Sequence, residues 1–93
     1  MINKFLDYIS VEKRYSQNTL VSYKKDLEDL LLFISETEGT EDLKKVDKKI
    51  IRNFIVSLSE KKIQKRSINR KLSSLRSFYL YLLKIGEIQV SPL

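Results

Sequence analysis

Apolar residues recur every three or four positions in four separate stretches of the chain, which is the spacing of amphipathic α-helices. The pattern predicts helices over residues 2–13, 17–37, 48–61 and 68–85. No stretch alternates between apolar and polar residues in the manner of a strand. The expected fold class is therefore all-α, with four or five helices.

Residues with capping chemistry flank the predicted helices. The candidate N-caps are Ser16 or Asn18, Asp47 and Ser67, because short polar side chains accept hydrogen bonds from the first free amides of a helix. Gly39 and Gly86 are expected to end the second and fourth helices. A short basic turn, 62–66, is expected between the third and fourth helices.

The fourth helix separates an apolar stripe from a polar face. The predicted stripe consists of Ile68, Leu72, Leu75, Tyr79 and Leu82. The opposite face carries Asn69, Arg70, Ser73, Ser74, Ser77 and Lys84, with Arg76 at its flank. Small serines between basic residues allow a helix to approach a phosphate backbone closely, while Arg and Asn can reach base edges.

Composition narrows the possible chemistry. The chain has no Cys and no His, which excludes thiol nucleophiles, histidine bases and the usual zinc sites. Two carboxylate pairs, Asp26 with Asp29 and Glu41 with Asp42, are expected to form solvated acidic surface. We therefore expect no catalytic residue, no metal site and no cofactor. Neither a signal peptide nor a membrane-spanning run is visible, and a cytoplasmic location is expected.

The charges are segregated along the chain. Residues 26–42 carry seven acidic side chains and no basic one, whereas residues 43–71 carry eleven basic and two acidic ones. A polyanion-binding surface with an acidic reverse side would have this distribution. The alternative is that the lysines only keep the domain in solution, or that a basic face meets an acidic partner protein.

Further candidate contacts lie beside the polar face of the fourth helix. The basic turn contributes Lys65 and Arg66 just before the N-terminus of that helix, where free backbone amides favour an anion. On the second helix, Asn18, Ser22 and Lys25 point away from the apolar stripe. Together these positions favour binding of nucleic acid.

The same residues carry a family resemblance. Residues 15–27, YSQNTLVSYKKDL, resemble the S-x-N-T-L-x-x-Y-x-x-D-L signature of Xer-type tyrosine recombinases and phage integrases. Residues 66–82, RSINRKLSSLRSFYLYL, resemble the second signature of the same domain. Gly86, Ile88 and Pro92 are similar to its G-x-I-x-x-N-P exit, with Ser91 in place of the usual Asn.

The resemblance implies a core-binding, SAM-like N-terminal domain. It implies a bundle of two roughly perpendicular helical pairs that grips one face of a recombination-site duplex. Residues 1–86 would form this domain, and 87–93 would begin a linker to a catalytic domain that the chain does not contain. The implied DNA contacts are Asn18, Thr19, Ser22, Lys25, Lys65, Arg66, Ser67, Asn69, Arg70, Ser73 and Arg76.

The resemblance also describes the parent protein. It would be a site-specific tyrosine recombinase that cleaves and rejoins DNA together with other recombinase subunits in a synaptic complex. The isolated domain would bind double-stranded DNA without cutting it, as a monomer and without contact to a membrane. The rival hypothesis from another class is a small helical protein-interaction module with a basic face.

Overall fold

The computed structural model describes all 93 residues and is all-helical. Four α-helices are joined by short connections: α1 (Ile2–Glu12), α2 (Gln17–Thr37), α3 (Lys48–Glu60) and α4 (Lys65–Lys84). A single 3₁₀ turn, Leu43–Lys45, lies between α2 and α3. The predicted fold class and the four predicted helices are confirmed. None of the four helices combines the length and the hydropathy of a membrane-spanning segment.

The starts of α2 and α3 follow the capping chemistry of the sequence. The Ser16 hydroxyl accepts a hydrogen bond from the Thr19 amide at 3.3 Å, so Ser16 and not Asn18 is the N-cap of α2. The Asp47 carboxylate accepts from the Ile50 amide at 2.9 Å and caps α3 as expected. Each cap satisfies an amide that has no partner within its own helix.

The start of α4 differs from the prediction. The helix begins at Lys65 with Gln64 as its N-cap, so the expected cap Ser67 lies inside the helix. Residue Lys62 adopts a left-handed backbone (φ +62°) and ends α3. The Lys62 amide donates to the Ser59 carbonyl and the Ile63 amide to the Leu58 carbonyl, which together form a Schellman motif. This compact turn leaves only a short connection before α4.

Gly86 ends α4 as predicted. Its backbone is left-handed (φ +77°), and its amide donates to the Leu83 carbonyl at 3.1 Å. The next amide, that of Glu87, donates to the Leu82 carbonyl at 2.9 Å, which completes a second Schellman motif. The chain then continues without regular structure, with Pro92 buried and with Ile88 and Leu93 packed against the core.

All four helices contribute to one hydrophobic core. Its fully buried centre joins Phe5 of α1, Leu27 and Leu30 of α2, and Leu75 and Phe78 of α4. Tyr79 is also fully buried, and its hydroxyl donates a 2.7 Å hydrogen bond to the Leu43 carbonyl of the 3₁₀ turn. Burial raises the pKa of the Tyr79 hydroxyl far above its ordinary value, so this group remains a donor.

The buried side of α4 is rotated relative to the predicted stripe. Four of the five predicted core residues are buried, but Leu72 is only partly so. Phe78, Lys71 and Ser74 are buried instead, and Ser74 had been expected on the polar face. The rotation turns α4 towards α2, where Lys71 and Ser74 find charged partners. The expectation that Ser74 is exposed was therefore wrong.

Candidate nucleic-acid interface

Asp26 of α2 is fully buried, which contradicts its assignment to a solvated acidic surface. Its first carboxylate oxygen, Oδ1, accepts hydrogen bonds from Arg70 Nη2 at 2.9 Å and from Lys71 Nζ at 3.3 Å. Its second oxygen, Oδ2, accepts from the Ser74 hydroxyl at 2.7 Å. Three donors from α4 thus offset the cost of removing this carboxylate from water.

Asp29, one turn further along α2, extends the same network. Its carboxylate accepts from Lys71 Nζ at 2.6 Å and from Lys25 Nζ at 2.8 Å. The result is an alternating series of charges across α2 and α4, which we call the interhelix network: Lys25, Asp29, Lys71, Asp26 and Arg70, with Ser74 as a neutral member. No buried side-chain nitrogen or oxygen in the structure lacks a hydrogen-bond partner.

The network shifts the pKa of its partly exposed members. Burial raises the pKa of Asp29, but the hydrogen bonds and charges of Lys25 and Lys71 outweigh it, so the pKa lies below its ordinary value. The hydrogen bond to Asp29 in turn raises the pKa of Lys25. Both effects favour the charged forms, so the ion pairs are kept at neutral pH.

The two ends of the network reach the surface. The side chain of Lys25 is 69% exposed and that of Arg70 is 53% exposed, while Lys71 between them is only 10% exposed. Both exposed ends are candidate DNA contacts from the sequence. Arg70 therefore lies on the exposed face as expected, but its guanidinium is also bound to a buried carboxylate, which the sequence did not indicate.

The remaining candidates on α4 form one exposed side of the helix. Arg66, Asn69, Ser73 and Arg76 are exposed and spaced three or four residues apart, so they lie along one line. Neither Arg66 nor Arg76 takes part in any of the five ion pairs of the structure. Their guanidinium groups are therefore available to a ligand. Lys65 is exposed in the first turn, whereas Ser67 is half-buried.

The candidates on α2 differ in their surroundings. Asn18 is exposed, and Ser22 is half-buried one turn before Asp26. Thr19 is also half-buried, and its hydroxyl forms a 3.0 Å hydrogen bond with the Ser16 hydroxyl at the helix start. The Thr19 hydroxyl thus already has a partner in the capping residue Ser16, which makes it a weaker contact candidate than Asn18.

Contacts between α2 and α4 connect one candidate on each helix, Lys25 and Arg70. Asp29 binds Lys71 and Asp26 binds Ser74, so the two helices run antiparallel where they pack together. Of the candidates, Lys25 and Arg70 are bound directly to the carboxylates of this contact. The burial of Asp26 between the two helices was not predicted from the sequence. A signal was present, because Asp26 lies three residues after Tyr23 and four before Leu30, within the apolar stripe.

The first turn of α4 has an electrostatic feature that suits an anion. Lys65 and Arg66 lie at the positive end of the helix dipole, and the turn contains no acidic residue. The N-cap Gln64 provides no side-chain hydrogen bond to the free amides. Cations at this end are unfavourable in isolation, and a bound phosphate would satisfy both the amides and the basic side chains.

The protein is thus an all-helical domain with exposed basic and hydrogen-bonding residues on α2 and α4. Residues 2–86 match the family model described as "Phage integrase, N-terminal SAM-like domain". The chain therefore belongs to this family, and the resemblance noted in the sequence is confirmed.

The curated relatives are similar along almost the whole chain. Tyrosine recombinase XerC of Anoxybacillus flavithermus is 38% identical over 91 residues, covering 98% of this chain and 30% of the relative. The XerC protein of Lacticaseibacillus casei is 35% identical over 91 residues, with the same two coverages. That of Listeria monocytogenes is 37% identical over 89 residues, covering 96% of this chain and 29% of the relative.

The chain spans less than a third of the length of these relatives, at 30% of the XerC protein of Lacticaseibacillus casei. No solved structure matches the chain at a significant level. The family and the fold class thus rest on the family model, the curated relatives and the helices themselves.

Proposed function

We propose that this chain is the DNA-binding N-terminal domain of a tyrosine recombinase and that it grips one face of a duplex through α2 and α4. The observation that carries the proposal is the exposed line Arg66, Asn69, Ser73 and Arg76, in which both arginines lack an intramolecular ion pair. Arginines bind phosphates and guanine edges, Asn binds adenine edges, and a small Ser permits close approach.

The charge of the molecule supports a nucleic-acid ligand. The formal net charge is +6. Asp26 and Asp29 offset the charges of Arg70 and Lys71 in the interhelix network, but no carboxylate pairs with Arg66 or Arg76 of α4. The proposed contacts are the residues expected from the sequence, of which Thr19, Ser22 and Ser67 are half-buried. Phosphate contacts would supply most of the affinity.

The proposal extends to the parent protein. The named relatives are tyrosine recombinases of which this chain spans about 30%, so we propose that the parent cleaves and rejoins DNA with residues outside these 93. Residues 1–86 would be the DNA-binding unit, and 87–93 would begin the connection to the catalytic domain. Other recombinase subunits would be its protein partners, and a DNA substrate agrees with the expected cytoplasmic location.

Titration of a short labelled duplex by fluorescence anisotropy, at several salt concentrations, tests the proposal. The 93-residue chain is expected to bind with a dissociation constant of about 10⁻⁴–10⁻⁶ M near physiological salt, and more tightly at low salt. Arg66→Ala should weaken binding and reduce the salt slope by about one. The matched control is Arg52→Ala, which removes an exposed arginine from α3 and should change neither the affinity nor the thermal midpoint by much.

The same titration distinguishes the rival hypothesis. A protein-interaction module with a basic face would bind an acidic polypeptide in preference to duplex DNA of equal charge, and Arg66→Ala and Arg52→Ala would then affect duplex binding alike. Either result would overturn the DNA-binding proposal.

A further inference from the structure

Arg70 combines two properties that no other candidate contact has. Its side chain is 53% exposed, yet its Nη2 is bound at 2.9 Å to the fully buried carboxylate of Asp26. A guanidinium has five N–H donors in a rigid plane, so one bond to Asp26 leaves others free for a ligand. The long Arg side chain, which would otherwise sample many rotamers, is thereby restricted at the surface.

The anchor of Arg70, Asp26, is itself held by further hydrogen bonds. Asp26 Oδ2 accepts from the Ser74 hydroxyl at 2.7 Å, and Oδ1 is shared between Arg70 and Lys71. Ser74 lies one turn after Arg70 on α4, and its single hydroxyl proton is directed to Asp26, with the Arg70 carbonyl as a more distant alternative acceptor at 3.3 Å. The Asp26 carboxylate is thereby attached to the same part of α4 that carries Arg70. A rigid, buried acceptor of this kind fixes the direction of the guanidinium before any ligand arrives.

We propose that Asp26 is a positioning residue for nucleic-acid binding: it holds the Arg70 guanidinium in a fixed orientation at the α2–α4 surface, with free donors directed at a phosphate or a base edge. This inference rests on the proposed DNA-binding function. Asp26 acts only through Arg70, since its own carboxylate is fully buried and cannot reach a ligand.

The positioning role and simple electrostatics predict opposite effects of an Asp26 substitution on DNA affinity. Asp26→Asn removes one negative charge from a protein that binds a polyanion, and long-range electrostatics would then tighten DNA binding. Loss of positioning instead weakens it, because Arg70 must be ordered at the moment of binding. We expect Asp26→Asn to weaken binding about threefold to tenfold, as a part of the loss on removing the arginine contact itself.

A double-mutant cycle on duplex binding isolates the pathway through Arg70. Arg70→Ala should weaken binding about tenfold or more and reduce the salt slope by about one. In the Arg70→Ala background, Asp26→Asn should cause no further weakening, because no guanidinium remains to be oriented. All titrations are made well below the thermal midpoint of each variant, which is measured by circular dichroism.

Tyr79→Phe is the control for a merely structural role. It removes another buried hydrogen bond of α4, the one to the Leu43 carbonyl, and lowers stability without touching the interface. Its duplex affinity should stay within about twofold of the wild type, as expected for a substitution that affects only stability. An equal loss of affinity in Tyr79→Phe and Asp26→Asn would overturn the positioning role.

The outcomes separate the two proposals. If the wild-type chain does not bind duplex DNA, the proposed function fails, and the positioning role fails with it. If the wild type binds but Asp26→Asn binds equally well or more tightly, only the positioning role fails. The same holds if Asp26→Asn still weakens binding in the Arg70→Ala background. The positioning role is supported if Asp26→Asn weakens binding in the wild-type background but has no effect in the Arg70→Ala background.

Discussion

Replacement of Lys71 by Met tests how far the interhelix network stabilises the fold. Met retains most of the apolar stem of this 10% exposed side chain but removes the ammonium group that binds Asp26 at 3.3 Å and Asp29 at 2.6 Å. Asp26 keeps Arg70 and Ser74, so its charge is not left without partners. The 25% exposed Asp29 keeps Lys25 and some access to water.

The expected loss of stability follows from the two hydrogen bonds that Lys71 donates. A hydrogen bond to a charged group contributes about 1.5–3 kcal/mol, and the 2.6 Å bond should count in full while the 3.3 Å bond adds little. We expect Lys71→Met to lower the free energy of unfolding by about 2–3 kcal/mol. For a domain of this size that corresponds to a fall in the thermal midpoint of roughly 10–20 °C.

Urea unfolding followed by circular dichroism at helical wavelengths gives the free energy and its slope. The control is Lys49→Met on α3, which changes an exposed lysine without an ion pair and should stay within about 0.5 kcal/mol of the wild type. A Lys71→Met variant as stable as this control would show that the network contributes no net stability, and the reasoning above would be refuted.

Two further predictions concern acid stability and the end of α4. The pKa of Asp29 lies below its ordinary value, so the unfolded chain binds a proton more readily than the folded one; the stabilisation is complete above about pH 5 and is lost as the pH falls through the folded pKa. Asp29→Asn should accordingly flatten the dependence of unfolding free energy on pH in this acid range, and an unchanged slope in urea titrations would contradict the assignment. Gly86→Ala meets no atom within 4 Å of the added methyl group, so its cost should be only the left-handed backbone (φ +77°), about 1 kcal/mol. A loss of several kcal/mol in thermal melts would instead indicate a steric clash.

The helices could be predicted because their signals are local. Apolar spacing defined all four, and Asp47 and Gly86 marked a start and an end with side-chain or backbone chemistry that acts within one turn. The start of α4 was missed because the turn before it relies on Lys62 in a left-handed conformation. Gly or Asn usually signals that conformation, and Lys gives no such indication.

The interhelix network could not be predicted, because it depends on residues 42–48 positions apart. Asp and Ser are usually exposed, so Asp26, Asp29 and Ser74 were assigned to the surface on the average behaviour of their residue types. A signal did exist: Lys71 follows Ile68 by three residues and precedes Leu75 by four, which places it within the apolar stripe. Only the presence of Asp26 and Asp29 on the facing helix makes that position favourable.

The candidate interface was predicted in outline. The exposed line on α4 lies where the polar pattern placed it, since amphipathic spacing determines which side of a helix faces water. The coupling of Arg70 to Asp26 was not predicted, because a polar pattern does not distinguish a free arginine from one that is held by a buried carboxylate.

The interhelix network also restricts how α4 can slide along α2. Apolar side chains such as Leu75, Phe78 and Leu82 define the register less sharply than charges do, because contacts between them have little directionality. A slide of one turn, about 5.4 Å, in one direction would place the Asp26 carboxylate against Phe78 in place of Ser74. A slide in the other direction would replace Lys71 by Ser67 opposite Asp29. The buried charges thus select a single register.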